Sequence, residues 1–337
     1  MTVPPASRPG SCSIRLGLKL VARGWRRYAP DVEITVVGAG IIGLTTALVL
    51  EEHGHTVRIV AAASGPMTTS AIAGAVWFPY RAGPPAKVAL WAAQTRSWLE
   101  QLAGDFDTGI DLLTGYEITQ EEGMVHPTPW WAANIEVERA PAPVTADLLA
   151  WKFRAPRVEP ARFMPWLTAR LRATIEHRSV VDLAAEPGDV VINCSGLAAR
   201  ELAADDGLYP LLGQIVITEP GSVERSITVT DHRNLDAIFY MIPRRDELVL
   251  GGCSLPWPPG AAPEIDPDVT LRILEQARSL GLAVGPIRTV RVGLRPYRLE
   301  VRLEREGRII HNYGHGGAGF TLCRGCADEV ARLVTQL

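Results

Sequence analysis

The segment H311-N-Y-G-H-G-G-A-G-F-T321 carries four glycines and one alanine in the six positions 314–319. Backbone without Cβ atoms lets a flat ligand press directly on the chain. A helix-compatible run, Phe320 to Val334, follows at once, which puts the glycines at a helix N-terminus. Free N–H groups and the positive end of the dipole there favour a developing negative charge. A second glycine site, Gly38-Ala39-Gly40-Ile41-Ile42-Gly43, fits G-x-G-x-x-G and opens the first good helix. In that pattern the first glycine permits the turn, the second admits a pyrophosphate and the third packs helix on strand. Two such sites near opposite ends of the chain point to one dinucleotide cofactor held from both ends. A dinucleotide site usually has an acid at the end of its second strand, whereas Ala61-Ala62-Ala63 stand there. Either backbone or water serves the adenosine, or the ligand is not NAD.

Other residues carry chemistry with less specific signals. M67-T-T-S-A-I-A-G-A-V-W-F-P-Y80 puts three hydroxyl residues before small residues and aromatics. Its hydroxyls can bond phosphate or ribitol, or simply cap a helix. N193-C-S-G196 at a strand end is open to the same two readings. Arg295 shares a strand face with Gly293 and Arg291. Its guanidinium is a planar fork matched to a carboxylate, the alternative being a salt-bridged structural arginine. Tyr240 shares a face with Ile238 and Ile242, and by position alone reads as a core tyrosine. His315 reads as a support for its loop rather than a general base. Cys323 and Cys326 form C-x-x-C, read as two thiols one turn apart on the last helix rather than a redox pair. No second pair completes a zinc site, so no metal is expected.

The elements that must position these residues follow from the hydrophobic pattern. Ile34 to Val37 read as a buried parallel strand, followed by a tight turn and a helix to about His53, with Gly54 as its cap. Thr56 to Ala61 give a second strand and complete a βαβ opening. Lys87 to Leu102 read as a helix. A further helix is entered through Glu159-Pro160 and marked by Trp166, Leu167, Leu171 and Ile175. Strands are expected at 189–196, 211–218, 237–242, 247–250 and 289–295, the last ending before Pro296. Asp266-Pro267 starts a helix that Gly281 ends. The separated glycine sites imply a discontinuous cofactor domain, 31–80, 152–212 and 288–337. A substrate domain, 81–151 and 213–287, is threaded through it.

Bulk properties exclude several classes. The chain has 337 residues, a hydrophobic share of 47%, a charged share of 21% and a net charge of −3. These suit a globular protein without general affinity for nucleic acid or anionic membrane. Residues 35–50 are apolar but read better as strand, turn and helix than as a membrane span. Five cysteines, Cys12, Cys194, Cys253, Cys323 and Cys326, make no secreted disulfide framework. Residues 1–30 carry Arg8, Arg15, Lys19, Arg23, Arg26 and Arg27 before any acid, and read as a disordered extension. The chain ends T-Q-L, without the S-K-L peroxisomal signal, and a bacterial cytoplasmic location is expected. A homodimer is among the options for its assembly.

In this order the segments resemble the D-amino-acid oxidase family. The matches are V36-V-G-A-G-I-I-G-L-T-T-A-L48, M67-T-T with A73-G-A-V-W-F-P-Y80, V191-I-N-C-S-G196, G213-Q-I and Tyr240-Met241-Ile242-Pro243 with L250-G-G. They close with Gly293-Leu294-Arg295-Pro296, R302-L-E-R-E306 and H311-N-Y-G-H-G-G-A-G319, and together span residues 31 to about 334. The resemblance implies an α/β fold: a Rossmann-like, glutathione-reductase-type FAD domain with a second, mixed-sheet substrate domain. It implies oxidation of neutral or hydrophobic D-amino acids to 2-oxo acids, ammonia and hydrogen peroxide, with oxygen as acceptor. D-aspartate or glycine oxidation on the same fold is the near rival, and a non-catalytic nucleotide-binding protein the distant one.

Carried over by position, Arg295 would pair with the substrate carboxylate, Tyr240 would donate to it, and the Gly317 carbonyl would accept from the amine. Hydride would then pass from Cα to flavin N5. Gly38 to Gly43, Ala62, Thr68, Thr69, Ser70, Gly74, Ala75, Val76, Ser195, Gly196 and Leu197 would contact FAD. Gly316, Gly317, Ala318, Gly319, Phe320 and Thr321 would lie at the flavin ring. Val76, Phe78, Tyr80 and Ile242 would wall an apolar substrate pocket. Arg233, Arg244 or Arg245, if pointed inward, would admit D-aspartate. T230-D-H-R-N-L-D-A-I-F239 is shorter than the lid of vertebrate members and lacks its tyrosine, so a gated lid is not expected.

Overall fold

Glu33–Ala39 form β1, whose four central residues are buried. Gly38 turns the chain at φ +115°, and Ile41–Glu52 follow as α1. A Cβ on Gly43 would overlap the Gly38 carbonyl oxygen, and one on Gly38 would overlap the Cys194 carbonyl oxygen. Glycine at both positions therefore lets helix, turn and neighbouring strand close on one another. Gly54, at φ +91°, ends the helix, and β2 (Thr56–Ser64) pairs parallel with β1. In the computed structural model the described residues are 32–119, 127–234 and 238–336. The expectation for residues 1–30 and the part of the short lid segment at 235–237 lie outside them.

The chain continues through the short helix α2 (Thr69–Ile72), α3 (Pro85–Leu102) and β3 (Ile110–Ile118). Next come β4 (Glu138–Ala142), β5 (Thr145–Val158), α4 (Pro160–Thr168), β6 (Ile175–His177), β7 (Val190–Asn193) and the short α5 (Ala199–Leu202). Then follow β8 (Tyr209–Thr218), β9 (Ile227–Asp231), β10 (Phe239–Pro243), β11 (Leu248–Gly251), β12 (Leu255–Pro256) and α6 (Pro267–Ser279). The hairpin β13 (Ile287–Glu306) and β14 (Ile309–His315) leads into α7 (Gly319–Val334).

One sheet path joins these strands in the order β4-β5-β3-β9-β10-β11-β8-β13-β14-β7-β1-β2-β6, with β12 on β8. From β14 to β6 every pairing is parallel. From β14 through β13, β8, β11 and β10 to β9 every pairing is antiparallel. The β13–β14 hairpin joins the two parts. One large core cluster packs α1, α3, α4 and α7 around the parallel strands, and a second lies between α6 and the antiparallel strands. At Gly325 a Cβ would overlap the Trp91 backbone, so this glycine lets α3 and α7 touch. Among the described residues no helix is long and apolar enough to cross a membrane.

Two expectations are corrected. The helix marked by Trp166, Leu167, Leu171 and Ile175 ends at Thr168, and Ile175 lies on β6 beside Ile59 of β2. The Glu51 carboxylate accepts from the Arg172 and Ala173 N–H groups, which takes backbone donors the helix would have used and redirects the chain. The strand expected to stop before Pro296 runs on to Glu306. Pro296 faces Pro210 across β8 and β13, so no ladder N–H is asked of either residue. Smaller shifts are the extension of β2 to Ser64 and the inclusion of Pro243 as the last residue of β10.

Candidate active site

The C-terminal ends of β1 and β2 and the N-termini of α1 and α7 open onto one cavity of about 730 Å³. The two glycine sites meet there: a Cβ on Gly319 would rest 3.4 Å from Ile41 Cγ2, an ordinary contact. Neither α1 nor α7 has a side-chain hydrogen bond from its own N-cap residue. Ser70 Oγ instead accepts from the Ile41 N–H at 3.0 Å, so its hydroxyl closes the α1 terminus from across the cavity wall. Thr68 Oγ1 donates to the Gly65 carbonyl and Thr69 Oγ1 to the Leu294 carbonyl. Ser195 Oγ donates to Asn193 Oδ1 at 2.6 Å.

The wall includes Gly38 to Ile42, Ala62, Thr68 to Ser70, Gly74 to Val76, Ser195 to Leu197, Gly316, Gly317, Gly319 and Phe320. Three expected cofactor residues stand behind it. Gly43 packs on the Gly38 carbonyl, Ala318 is fully buried as the N-cap of α7, and Thr321 Oγ1 donates to the Phe78 carbonyl at 2.9 Å. The cavity wall also carries Arg178, whose backbone N–H donates to the Ala61 carbonyl beside Ala62, and Glu201. Arg178 is paired with Glu176 and Glu186.

The other end of the cavity is made by side chains. Arg295 donates through Nη1 to the Cys253 carbonyl at 2.9 Å and the Leu212 carbonyl at 3.4 Å. Among the described residues no carboxylate pairs with it. Gly213 gives the guanidinium its room, since a Cβ there would overlap Cζ. Gly293 also lines the cavity, whereas Arg291 is exposed elsewhere. Burial pushes the Tyr240 hydroxyl pKa up, and the neighbouring Arg295 charge partly offsets this, so the group stays a donor at neutral pH. A Cβ on Gly251 would overlap the Tyr240 ring, so β11 has to be bare there to seat it. Tyr80 sits over Gly317, and Val76, Phe78 and Ile242 complete the apolar wall.

His315 lies on the wall beside these groups. Burial alone lowers its pKa to about 3, so it is uncharged at neutral pH. Three buried polar atoms of wall residues have no partner among the described residues: the Tyr80 hydroxyl, Asn312 Oδ1 and His315 Nε2. Unpaired buried groups of this kind suit a polar ligand that supplies their hydrogen bonds. With the glycine-lined α1 terminus at one end, the wall fits a dinucleotide carrying a flat ring.

Arg233, Arg244 and Arg245 do not line the cavity. Arg233 pairs with Asp231, Arg244 with Glu247 and the Ala73 carbonyl, and Arg245 covers the Phe106 ring. His232, Asn312, Arg178 and Glu201 line it without having been foreseen. Asn312 belongs to the glycine-rich segment already singled out, whereas Arg178 just after β6, His232 just after β9 and Glu201 on α5 carry no local pattern that marks them. Cys323 and Cys326 are fully buried, and burial raises both thiol pKa values, Cys323 to about 12. They are inert thiols of the core.

Comparison with known proteins agrees with this geometry. Residues 33–333 match the family described as FAD dependent oxidoreductase. The chain is 39% identical to a D-amino-acid oxidase of Streptomyces coelicolor, over 90% of this chain and 97% of that one. It is 40% identical to a D-amino-acid oxidase of Rubrobacter xylanophilus, over 88% and 94%. In fold it is similar to a glycine oxidase from Bacillus cereus, with a TM-score of 0.71 at 20% identity, over 90% of this chain and 94% of the other. The chain therefore belongs to the FAD dependent oxidoreductases, in the branch that contains the D-amino-acid oxidases, and its cofactor is FAD.

Proposed function

We propose that this protein oxidises neutral D-amino acids, with oxygen and water, to the 2-oxo acid, ammonia and hydrogen peroxide. The observation that carries this reading is the Arg295 guanidinium, open to a cavity, bonded to the Leu212 and Cys253 carbonyls, set beside the Tyr240 hydroxyl and, among the described residues, paired with no carboxylate. An arginine in that state is matched to a carboxylate brought by a ligand. Arg295 holds the α-carboxylate, Tyr240 donates to it, and the Gly317 carbonyl accepts from the amine. Three contacts hold the carboxylate and the amine, and with the acceptor on one face of Cα only one enantiomer presents its hydrogen to it. Bound FAD supplies the two-electron acceptor for the hydrogen at Cα. No protein acid or base is needed at Cα, and orientation contributes most of the rate, about 7–11 kcal/mol. Along the chain, 31–80, 152–212 and 288–337 form the cofactor domain, from which Arg295, Gly317 and Tyr80 reach the substrate, and 81–151 and 213–287 form the substrate domain.

Neutral side chains are favoured because Val76, Phe78 and Ile242 are apolar and the three candidate arginines are engaged elsewhere. The test is anaerobic mixing of the yellow protein with single amino acids. D-Alanine, D-valine and D-phenylalanine should bleach it, their L-forms should not, and oxygen should restore the colour. Faster reduction by an L-enantiomer, or a much higher kcat/KM for D-aspartate or glycine, would overturn the reading. Colour without bleaching would identify a nucleotide-binding protein that is not an oxidase.

A further inference from the structure

Beyond the carboxylate clamp, the wall carries a second polar group that the reaction does not use. His232 lines the cavity, and its Nδ1 is hydrogen-bonded to Glu117 Oε1. Glu117 is buried on β3, and its Oε2 has no partner among the described residues. The imidazole stacks on Tyr80, with centroids 5.4 Å apart and planes 11° from parallel, and lies 5.6 Å from the Phe78 ring. Its backbone N–H donates to the Ile118 carbonyl at 2.9 Å. Backbone, ring stack and carboxylate thus fix the ring from three directions. Among the described residues no hydrogen bond engages Nε2.

Strand register places this pair relative to the clamp. Glu117 stands opposite Thr230 on β9, and Thr230 stands opposite Tyr240 on β10. The three side chains lie in one row on one face of the sheet. Two strand spacings separate the ends of that row, about 10 Å between Glu117 and Tyr240. Tyr80, seated over Gly317, occupies part of the interval, and His232 is the next ring outward. His232 is thus the polar side chain that a substrate group extending from the Tyr240 end along this row would meet.

A carboxylate buried in an apolar wall costs several kcal/mol unless it is well paired, and a third aromatic ring would fill the same space without that cost. We propose that His232, oriented by Glu117, is a specificity-determining group that gives the cavity a hydrogen-bond partner for a neutral amide or hydroxyl in the substrate side chain. The inference rests on the oxidase reading above. Glu117 faces His232 and Asp231 faces Arg233, so each basic side chain beside this part of the wall already has a carboxylate partner. A side-chain carboxylate finds no uncompensated cation there, because Arg295 is taken by the α-carboxylate. An amide both donates and accepts, so it satisfies Nε2 in either protonation state.

D-Leucine, D-asparagine and D-aspartate have side chains of similar shape and different chemistry, so they separate the terms. With FAD-loaded enzyme, wild type should turn over D-asparagine with a higher kcat/KM than D-aspartate. His232→Phe keeps a ring against Tyr80 and removes the hydrogen bond. It should lower the D-asparagine to D-leucine ratio of kcat/KM about tenfold. Glu117→Gln should lower the same ratio by a smaller factor, because the imidazole is held less firmly. The ratio is independent of how much variant folds and loads. A ratio unchanged within twofold in both variants would make the pair structural and overturn the inference while leaving the oxidase reading intact. So would a preference for D-aspartate that His232→Phe abolishes. Failure of every D-amino acid to bleach the flavin would instead sink the oxidase reading, and this inference with it.

Discussion

Toward α1 the cavity wall is backbone, Gly38 and Gly40, and Gly316 and Gly317 carry a bare strip up to the side chains. At the other end it is side chains: Arg295, Tyr240, Tyr80 and His232. The two imidazoles that reach the cavity also differ. His315 is isolated by burial and kept neutral, with a pKa lowered to about 3, whereas His232 is paired with a carboxylate. A bare wall accepts a large flat cofactor by leaving atoms out, and a furnished wall chooses a small substrate by placing charges. The two ends should therefore fail differently when altered. Changes at the glycines should remove the cofactor altogether, and changes at the side chains should leave a yellow protein with altered kinetics.

Gly43→Val tests the first half and has the largest expected effect. Its side chain would enter the space of the Gly38 carbonyl and push α1 away from the turn. We expect protein without the flavin absorbance band after purification and reconstitution. A yellow Gly43→Val protein would show that the turn is not rigid and would weaken the contrast. At the substrate end, Arg295→Ala should remain yellow and raise KM for D-alanine by about two to three orders of magnitude, equivalent to about 3–4 kcal/mol. Gly213→Ala should act in the same direction more weakly, because its Cβ overlaps the guanidinium rather than deleting it. An unchanged KM in Arg295→Ala would remove the clamp from the account.

His315 gives a smaller effect, read in stability. Unfolded histidine takes a proton near pH 6.5, whereas folded His315 stays neutral down to about 3. Between those values the unfolded state binds more protons, so stability is full above 6.5 and falls as pH drops toward 3. At pH 5 the loss is about 2 kcal/mol. His315→Gln has no such proton to take up. The Tm of FAD-loaded wild type should therefore fall more between pH 7.5 and 5 than that of the variant. Equal losses would show that the buried imidazole has little part in acid sensitivity.

The contrast also explains what could be read from the sequence. The cofactor end depends on local spacing: G-x-G-x-x-G between a strand and a helix, and a glycine run ahead of another helix. Both survive translation into structure because each is contained within a few turns of chain. Arg295 and Tyr240 were visible through the family pattern, although their chemistry depends on Gly213, Gly251 and the Cys253 carbonyl from other strands. His232 and Glu117 were not visible, since only the β3–β9 pairing brings residues 115 positions apart into contact. The two misread elements have the same origin. Glu51, far away in sequence, ends the helix before Ile175, and Pro210 on a neighbouring strand makes Pro296 harmless.

Tyr240→Phe has the smallest expected effect and sharpens the comparison most. The substitution removes one oxygen from the furnished wall and leaves the ring seated over Gly251. Burial keeps the Tyr240 proton in place through the neutral range, so wild type should show no ionisation of this group in a KM profile between pH 6 and 9. A single hydrogen bond to a charged carboxylate is worth about 1.5 kcal/mol, or roughly tenfold in KM. Arg295 remains in place, so the loss must be far smaller than in Arg295→Ala, and the flavin spectrum should be unaltered. If Tyr240→Phe costs as much as Arg295→Ala, the two act as one unit and the hydroxyl serves mainly to orient the guanidinium. If it costs nothing, the carboxylate is held by Arg295 alone, and the three-point account of enantiomer choice loses one of its carboxylate contacts.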